Sequence, residues 1–229
     1  MTFEDKIRQR YSGEKGRRYH RSKRSIPDSA YQWVAELRAE KIRPFINKTD
    51  VVLEYGVGTG WNLAELDCQC KFGFDLSEHL EPVNLSHGIE YVKDIKKIDD
   101  ASVDVVICHH MLEHTSNPPE ILKEIKRILR ENGKLLLFVP FEKERRYHHF
   151  NPDELNHHLY SWNVQTMGNL LSDIGFTIIQ GKVREFGYDR FAAVWAVKLG
   201  LGRKGYRLIR KIIHLIKPAS EVYIMAKKE

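Results

Sequence analysis

The stretch "VVLEYGVGTGW", residues 51–61, decides the fold of this 229-residue chain. Its first half is a short apolar run of the kind found in strands buried on both faces of a parallel sheet. Gly56, Gly58 and Gly60 follow at alternate positions, and glycine lets the backbone turn sharply and approach a ligand closely. The amide groups of a helix that begins there would favour a negatively charged group. The stretch therefore predicts a strand, a glycine loop with a ligand site, and a helix.

The glycine spacing excludes a dinucleotide-binding motif. The pattern G-x-G-x-x-G would place its third glycine at position 61, where this chain has Trp61. The loop instead reads acidic-x-G-x-G-x-G, with Glu54 two residues before the first glycine.

Six more strand-like segments follow the first. They are "KFGFD" ending at Asp75, "IEYVKD" ending at Asp94, "SVDVVICHH", "GKLLLFVP" ending at Pro140, "GFTIIQGKV" and "EVYIMAKK". Helical patterns separate most of them. Such alternation predicts an α/β fold, with a mostly parallel sheet and helices on both faces.

Two helices have clear start and stop signals. For "SNPPEILKEIKRILRENG" we predict Ser116 or Asn117 as the N-cap and Gly133 as the C-terminal stop. For "SWNVQTMGNLLSDIGF" we predict Ser161 as the N-cap and Gly175 as the stop. Both helices should pack an apolar stripe on the sheet.

We expect a single domain made of four segments. Residues 49–184 form the cofactor-binding core, and residues 220–229 add the last strand. Residues 1–48 are a basic leader with a helix from Asp28, expected to act as a lid. Residues 185–219 are too long for a hairpin loop, so they should form a cap with structure of its own.

The charge is unevenly distributed, although the net charge is only +6. Residues 51–180 hold 12 Lys/Arg against 20 Asp/Glu, whereas residues 181–229 hold 12 against 4. No apolar segment follows Met1 and no run of 18 apolar residues exists, which predicts neither a secretory signal nor a membrane-spanning helix. Three cysteines make no disulfide framework, which favours reduced thiols and a cytoplasmic location.

The glycine loop resembles the first motif of the class I S-adenosylmethionine-dependent methyltransferases, and the resemblance continues from about residue 50 to 180. It implies a Rossmann-like seven-stranded sheet with strand order 3-2-1-4-5-7-6. It also implies that Asp75 accepts the ribose hydroxyls and that Asp94 meets the adenine. The cofactor-binding residues carried over in this way are Glu54, Gly56, Gly58, Gly60, Asp75, Leu76, Asp94, Ile95, Cys108 and His109.

The segment "DVVICHHMLEHTSNP" resembles the fourth-strand segment of the ubiquinone and menaquinone methyltransferases. This resemblance implies a small-molecule or lipid-linked methyl acceptor and O-methylation. An RNA methyltransferase that uses the basic flanks is an alternative, but the Asp/Asn-Pro-Pro-aromatic motif of enzymes acting on bases is replaced by "CHHM", so nucleic acid is disfavoured. A non-catalytic cofactor-binding module is a second alternative. The oligomeric state is left open.

Histidines supply the candidates for catalysis. If a helical turn follows strand four, His110, Glu113 and His114 stand at i, i+3 and i+4 on one face. They could be general bases, transition-metal ligands, or structural groups that pin the turn. His149, with His148 beside it, lies in a loop that borders the acceptor pocket in the family. We therefore predict His110, His114 and His149 as catalytic candidates and assign no metal ligand.

Two further segments are candidates for contacts outside the core. In the leader, Tyr11, Tyr19, His20 and Arg21 are predicted to touch the cofactor. In the insertion, "YRLIRKIIHLIKP" predicts an amphipathic helix with Leu208, Ile209, Ile212, Ile213, Leu215 and Ile216 along one side. That side could pack on the domain or on a second subunit. Alternatively, the helix could rest on an anionic membrane surface as a peripheral contact.

Overall fold

The computed structural model describes residues 1–23, 25–142, 149–151, 154 and 156–229. Its centre is one sheet of seven strands in the order β3-β2-β1-β4-β5-β7-β6. The strands are β1 Val51–Tyr55, β2 Cys70–Phe74, β3 Glu90–Val92, β4 Val103–His109, β5 Leu129–Pro140, β6 Phe176–Glu185 and β7 Ser220–Lys228. Strands β1 to β5 pair in parallel, whereas β7 is antiparallel to both β5 and β6. The predicted sheet and strand order are confirmed.

Eight helices of six or more residues lie in the described part of the chain. They are α1 Phe3–Tyr11, α2 Gly13–Lys23, α3 Tyr31–Ile42, α4 Glu81–Ser86, α5 Pro118–Ile128, α6 Val164–Ile174, α7 Asp189–Lys198 and α8 Gly202–Ile216. The helix predicted from Asp28 is a short 3-10 turn that runs into α3. Residues 61–65, directly after the glycine loop, form turns and not the predicted helix. The leader thus contains three helices, and the insertion before β7 contains two. None of the described helices is long and apolar enough to cross a bilayer.

The sheet is covered by apolar clusters on both faces, as alternating strands and helices predict. On one face, α5 and α6 pack against side chains such as Val106 and Leu137. On the other face, α3 packs with Ala39 and Ile42 against β4 and β5, and Phe138 is fully buried there. The central strands are therefore buried on both sides, which explains why their sequences are almost continuously apolar.

The predicted stop of α5 was wrong by four residues, because the C-cap is Leu129 and not Gly133. The side chain of Asn117 caps the helix as predicted, by accepting a hydrogen bond from the amide of Glu120. However, the last residue of the helix is Ile128. The reason is tertiary, because Leu129 already pairs with Val103 in the sheet and is fully buried.

The N-cap of α6 also differs from the prediction. Asn163, and not Ser161, caps this helix, because Asn163 and Thr166 exchange hydrogen bonds in a capping box. Gly175 ends the helix in a left-handed conformation (φ 90°), as its sequence position predicted.

The sheet topology brings distant segments to one edge. The carboxyl ends of β1, β2, β3 and β4 meet there, and ligands of open α/β sheets bind at this edge. Because β7 is antiparallel, its first residues lie at the same edge, and Glu221 pairs with Pro140 at the end of β5. Glu221, near the end of the chain, is therefore placed beside His109 and His110 at the end of β4.

Candidate active site

A cavity of about 750 Å³ lies at the carboxyl edge of the sheet, within the size range of small-molecule and cofactor sites. The glycine loop, the ends of β2, β3 and β4, and the leader helices α1 and α2 line it. It brings together most of the residues singled out in the sequence, namely Glu54, Gly56, Gly58, Asp75, Leu76, Asp94, Ile95, His109, His110 and His114.

Three of the residues predicted in the core for cofactor binding or catalysis do not line this cavity. Gly60 lies under the loop, where an added Cβ would sit 2.6 Å from Cδ1 of Ile89, so this glycine serves close packing. Cys108 is fully buried in the core, and burial raises the pKa of its thiol well above its usual value, which leaves it unreactive. His149 is exposed and is not among the lining residues, while His148 lies outside the described residues.

The glycine loop is held in place by Asp75. One carboxylate oxygen of Asp75 accepts the amide hydrogen of Gly58 at 2.9 Å, and the other accepts that of Ser77 at 2.9 Å. Gly58 has φ +55°, and an added Cβ would have only Cε1 of His20 within reach, at 4.0 Å. Since Gly58 lines the cavity, its missing side chain leaves open space for a ligand. Gly56 is different, because its Cβ would collide with Met111 at 2.6 Å.

Glu54 is a buried carboxyl group at the floor of the cavity. Its Oε1 accepts a hydrogen bond from Nδ2 of Asn62 at 2.5 Å. Its Oε2 is buried without a hydrogen-bond partner among the described residues. Burial raises the pKa of Glu54 to about 8, although the bond from Asn62 acts in the opposite direction. A buried acceptor of this kind fits a cationic or hydrogen-bond-donating ligand.

The leader helices form part of the cavity wall. The hydroxyl of Tyr11 shares a hydrogen bond of 2.9 Å with Nδ1 of His114 and also bonds the carbonyl oxygen of Asn156 at 3.2 Å. Nε2 of His20 lies 3.2 Å from Oγ of Ser77, directly beside Asp75. Tyr11, Tyr19 and His20 all line the cavity. Arg21 is exposed and does not line it.

The histidines after β4 do not share one helical face. His110 has a left-handed backbone (φ 52°), and only Leu112–His114 forms a 3-10 turn. The side chains nevertheless stay close, because Oε1 of Glu113 lies 3.9 Å from Nδ1 of His110 and 3.7 Å from Nε2 of His114. Potential metal-ligand atoms fall into two groups. One group is His109, His110 and Glu221, and the other is Glu113, His114 and His158.

The first group surrounds an ammonium ion of the protein itself. Nζ of Lys41 lies 2.8 Å from Nε2 of His109 and 2.9 Å from Oε1 of Glu221. Nε2 of His110 lies 3.1 Å from Oε2 of the same carboxylate. Because the positively charged Lys41 already lies this close to an imidazole and to a carboxylate, a metal cation is disfavoured in this group.

The charges in this group depend on each other. Burial alone would raise the pKa of Glu221, but Lys41 and the rings of His109 and His110 hold that pKa well below its usual range. Burial lowers the pKa of Lys41 to about 8, although Glu221 favours the charged form. Burial and the nearby Lys41 also lower the pKa of His109 well below its usual value, so this ring is neutral.

A second ion-pair network connects the cavity with the insertion. Arg38 lines the cavity, and its Nη2 lies 2.7 Å from Oδ2 of Asp189, the first residue of α7. Nε of Arg210 in α8 donates to the other oxygen of Asp189 at 2.8 Å. Burial opposes ionisation of Asp189, but Arg38 and Arg210 keep its pKa below its ordinary value. The helices of the insertion are thus attached to the cavity wall by buried charges.

Four site residues were not predicted from the sequence, namely Glu221, Lys41, Arg38 and Asp189. Each is a single charged residue in an otherwise ordinary helix or strand, and no local pattern marks it. One signal for Glu221 was present, because a last strand antiparallel to the rest must begin at the carboxyl edge of the sheet. The first residues of that strand were therefore candidates for the site.

The class I S-adenosylmethionine-dependent methyltransferases are defined by seven strands in this order. They have a glycine loop after the first strand and an acidic residue after the second. The family model described as "Methyltransferase domain" matches residues 25–181, and the chain belongs to this family. S-adenosylmethionine is accordingly its cofactor.

Individual relatives agree on the class. The ubiquinone biosynthesis O-methyltransferase of Xanthomonas oryzae pv. oryzae is 33% identical over 99 residues, which cover 38% of this chain and 41% of that protein. The tRNA U34 carboxymethyltransferase of Campylobacter fetus subsp. fetus is 25% identical over 124 residues, covering 48% and 44%. The chain thus spans less than half the length of these curated relatives.

Solved structures agree on the fold. The phosphoethanolamine N-methyltransferase 2 of Haemonchus contortus, in complex with S-adenosyl-L-methionine, aligns with a TM-score of 0.60 and 17% identity, covering 97% of this chain and 60% of that one. A methyltransferase of Thermotoga maritima aligns with a TM-score of 0.62 and 17% identity, covering 98% and 99%.

Proposed function

We propose that this chain transfers a methyl group from S-adenosylmethionine to a hydroxyl group of a small or lipid-linked acceptor. The observation that carries the proposal is one cavity lined both by the glycine loop and Asp75 and by the imidazoles of His110 and His114. The relative named for ubiquinone O-methylation supports an oxygen acceptor.

Several cavity residues fit the cofactor. Each oxygen of Asp75 already accepts one amide hydrogen, and a carboxylate offers about four acceptor sites, so two remain for ribose hydroxyls. Asp94 and Ile95 follow β3 and line the part of the cavity proposed for the adenine. The buried Oε2 of Glu54 suits the cationic methionine end. When bound, the cofactor supplies an electrophilic methyl group on a sulfonium.

Asp75→Ala is the direct test of the cofactor site. We expect a loss of about 1.5–3 kcal/mol in binding free energy, the range for hydrogen bonds to a charged group. Calorimetric titration with S-adenosylmethionine measures it. Asp67→Ala, at an exposed carboxylate paired only with Lys48, is the matched control. Equal affinity of wild type and the Asp75 variant would contradict the assignment.

The pKa of Glu54 predicts a pH dependence of cofactor binding. Before binding, Glu54 with a pKa of about 8 is mostly protonated at neutral pH. A cation bound beside it favours the ionised form, so binding lowers this pKa and releases a proton. Affinity for the cofactor should therefore rise with pH, by at most about tenfold per pH unit, and level off above about pH 8. Calorimetry in buffers of different ionisation enthalpy counts the protons released.

Glu54→Gln keeps the shape and the bond to Asn62 but cannot ionise. Above about pH 8, this variant should bind S-adenosylmethionine more weakly than the wild type. Its affinity should also rise less steeply with pH, since the part of the slope caused by Glu54 is missing. The same slope and the same proton release in both proteins would show that Glu54 does not face the cationic end.

Methyl transfer to a hydroxyl needs a proton acceptor. The cofactor would supply the methyl group for the new O–CH₃ bond as its S–CH₃ bond breaks, and the hydroxyl proton would pass to an imidazole. His110 is oriented by Glu221, and His114 by the hydroxyl of Tyr11. Both line the cavity, so both are candidates for the base.

The acceptor can be found by mass spectrometry of extracts incubated with isotopically labelled cofactor. With the acceptor in hand, we expect His110→Ala or His114→Ala to lower kcat by about 100-fold or more, the usual size of general-base catalysis. His87→Ala is the control, because His87 stacks on Tyr31 and does not line the cavity. Full activity in both variants would leave these histidines a structural role only. A chelator that stops turnover, with zinc restoring it, would favour a metal at Glu113, His114 and His158 instead.

RNA methylation is the second candidate, because one relative acts on tRNA and both ends of the chain are basic. A tight, salt-sensitive complex with RNA would favour it. Cofactor binding without turnover on any acceptor would favour a binding module.

A further inference from the structure

The outer surface of α7 and α8 is unusually apolar. Eight of the fourteen large apolar side chains exposed among the described residues lie in these helices and their connection. They are Phe191, Trp195, Leu199, Leu201, Leu208, Ile212, Leu215 and Ile216. We call this set the outer apolar surface. Concentrated exposure of this kind marks a site of interaction.

Helix α8 turns its most apolar stripe away from the domain. Leu208, Ile212, Leu215 and Ile216 are exposed, with Leu215 and Ile216 at 77% and 80%. The side that faces the domain instead buries Tyr206 and His214 and carries Arg210. The interpretation that the whole apolar side packs on the domain is therefore wrong. The reason is that Asp189 draws Arg210 and Tyr206 inward.

Helix α7 extends the same surface. Phe191, Trp195 and Leu199 recur every four residues and are exposed. The buried side of α7 and that of α8 share one apolar cluster with α3, through Ala192, Ala196 and other small residues. Because both helices bury their inner sides in this cluster, their exposed sides face away from it together.

Positive charge accompanies this apolar surface. Residues 190–219 contain eight Lys/Arg and no Asp or Glu. Arg203, Arg207 and Arg210 pair with Glu36, Glu40 and Asp189, respectively. No described acidic side chain pairs with Lys198, Lys204, Lys211 or Lys217, and Lys204 and Lys211 lie on the exposed stripe of α8. These lysines are available to an anionic partner.

We propose that the outer apolar surface docks on an anionic lipid bilayer. Exposed leucine, isoleucine, phenylalanine and tryptophan side chains enter the boundary between headgroups and acyl chains, and the surrounding lysines meet anionic headgroups. A second copy of the chain fits less well, because a two-fold interface would bring the same unpaired lysines together. RNA fits less well too, because phosphate-binding surfaces do not need an exposed Leu/Ile stripe.

The docking surface is connected to the proposed active site. Asp189, at the first residue of α7, holds Arg38 on the cavity wall. If the methyl acceptor is lipid-linked, docking would bring the cavity to the acceptor. This one point rests on the proposed function. The docking itself does not depend on the acceptor or on turnover.

Vesicle co-sedimentation tests the proposal with the full chain. We expect binding to phosphatidylcholine vesicles containing phosphatidylserine and much weaker binding to phosphatidylcholine alone. Leu215→Ser/Ile216→Ser and Lys204→Glu/Lys211→Glu should each weaken binding to anionic vesicles by more than about tenfold. All four side chains are exposed, so these variants should fold, and cofactor titration should confirm an unchanged cavity.

Matched controls lie elsewhere on the surface. Leu85→Ser/Ile179→Ser removes two apolar groups that are also exposed (56% and 53%), and Lys97→Glu/Lys182→Glu makes the same change in charge. Neither should reduce vesicle binding by more than about twofold. Equal binding to neutral and anionic vesicles, or none to either, overturns the proposal. Two other results also overturn the proposal. One is a dimer, seen in sedimentation, that dissociates in the Leu215→Ser/Ile216→Ser variant. The other is RNA binding that is abolished only in the Lys204→Glu/Lys211→Glu variant.

Discussion

Replacing Gly58 with valine should abolish S-adenosylmethionine binding. Gly58 has φ +55°, a conformation that β-branched residues avoid, and its Cβ position opens into the cavity. A valine there would fill space next to Asp75 and would also displace the amide that Asp75 accepts. We expect affinity to fall by more than about 100-fold, or nearly 3 kcal/mol. Calorimetry and thermal unfolding with and without cofactor measure the loss.

Gly88→Val is the matched control for this variant. Gly88 also has a positive φ of +67°, and an added Cβ would meet nothing within 4 Å. Gly88 does not line the cavity. The two variants should share the backbone strain, and only the Gly58 variant should lose the cofactor. Equal affinity in both would place the cofactor away from the glycine loop.

Glu221→Ala should lower the free energy of unfolding by about 3–5 kcal/mol, the usual cost of removing one partner of a buried ion pair. Glu221 is fully buried and contacts Lys41 and His110. Without the carboxylate, the pKa of Lys41 falls further, so this buried side chain must either stay charged without its partner or give up its proton. The pKa of Glu221 is lowered on folding, so its stabilising effect is complete above its unfolded pKa and is lost as pH falls below it.

Two further variants separate the charge from the packing. Glu131→Ala removes an exposed carboxylate 3.4 Å from Lys228, and its cost should stay below about 1 kcal/mol. Lys41→Met/Glu221→Leu replaces both buried charges with apolar groups and should recover much of the lost stability. Denaturant unfolding at neutral pH and at pH 9 measures both. The loss in Glu221→Ala should be smaller at pH 9, since Lys41 can then lose its proton. A Glu221 variant as stable as the Glu131 variant would contradict this account.

The fold was largely predictable because its signals are local. The apolar run ending at Gly56, the later apolar segments and Asn117 as a cap act through neighbouring residues. The end of α5 and the start of α6 were less predictable. Leu129 leaves the helix to pair with Val103, a partner 26 positions away that no local pattern reveals.

The candidate site was predictable in part for the same reason. Glu54, Gly58 and Asp75 lie next to strands whose ends were visible in the sequence, and the structure places all three in one cavity. The pattern at His110 misled, because its i, i+3, i+4 spacing assumed a helix that a left-handed residue prevents.

The sequence by itself determined the seven strands, the glycine loop and the class of cofactor site, since each depends on residue types at short spacing. Only the tertiary structure decided which charges meet. The antiparallel β7 brings Glu221 to His110, 111 positions earlier, and Asp189 turns Arg210 inward so that the apolar stripe of α8 faces outward. Buried charges must find opposite charges, and the partner is set by strand order and helix packing rather than by neighbours in the chain.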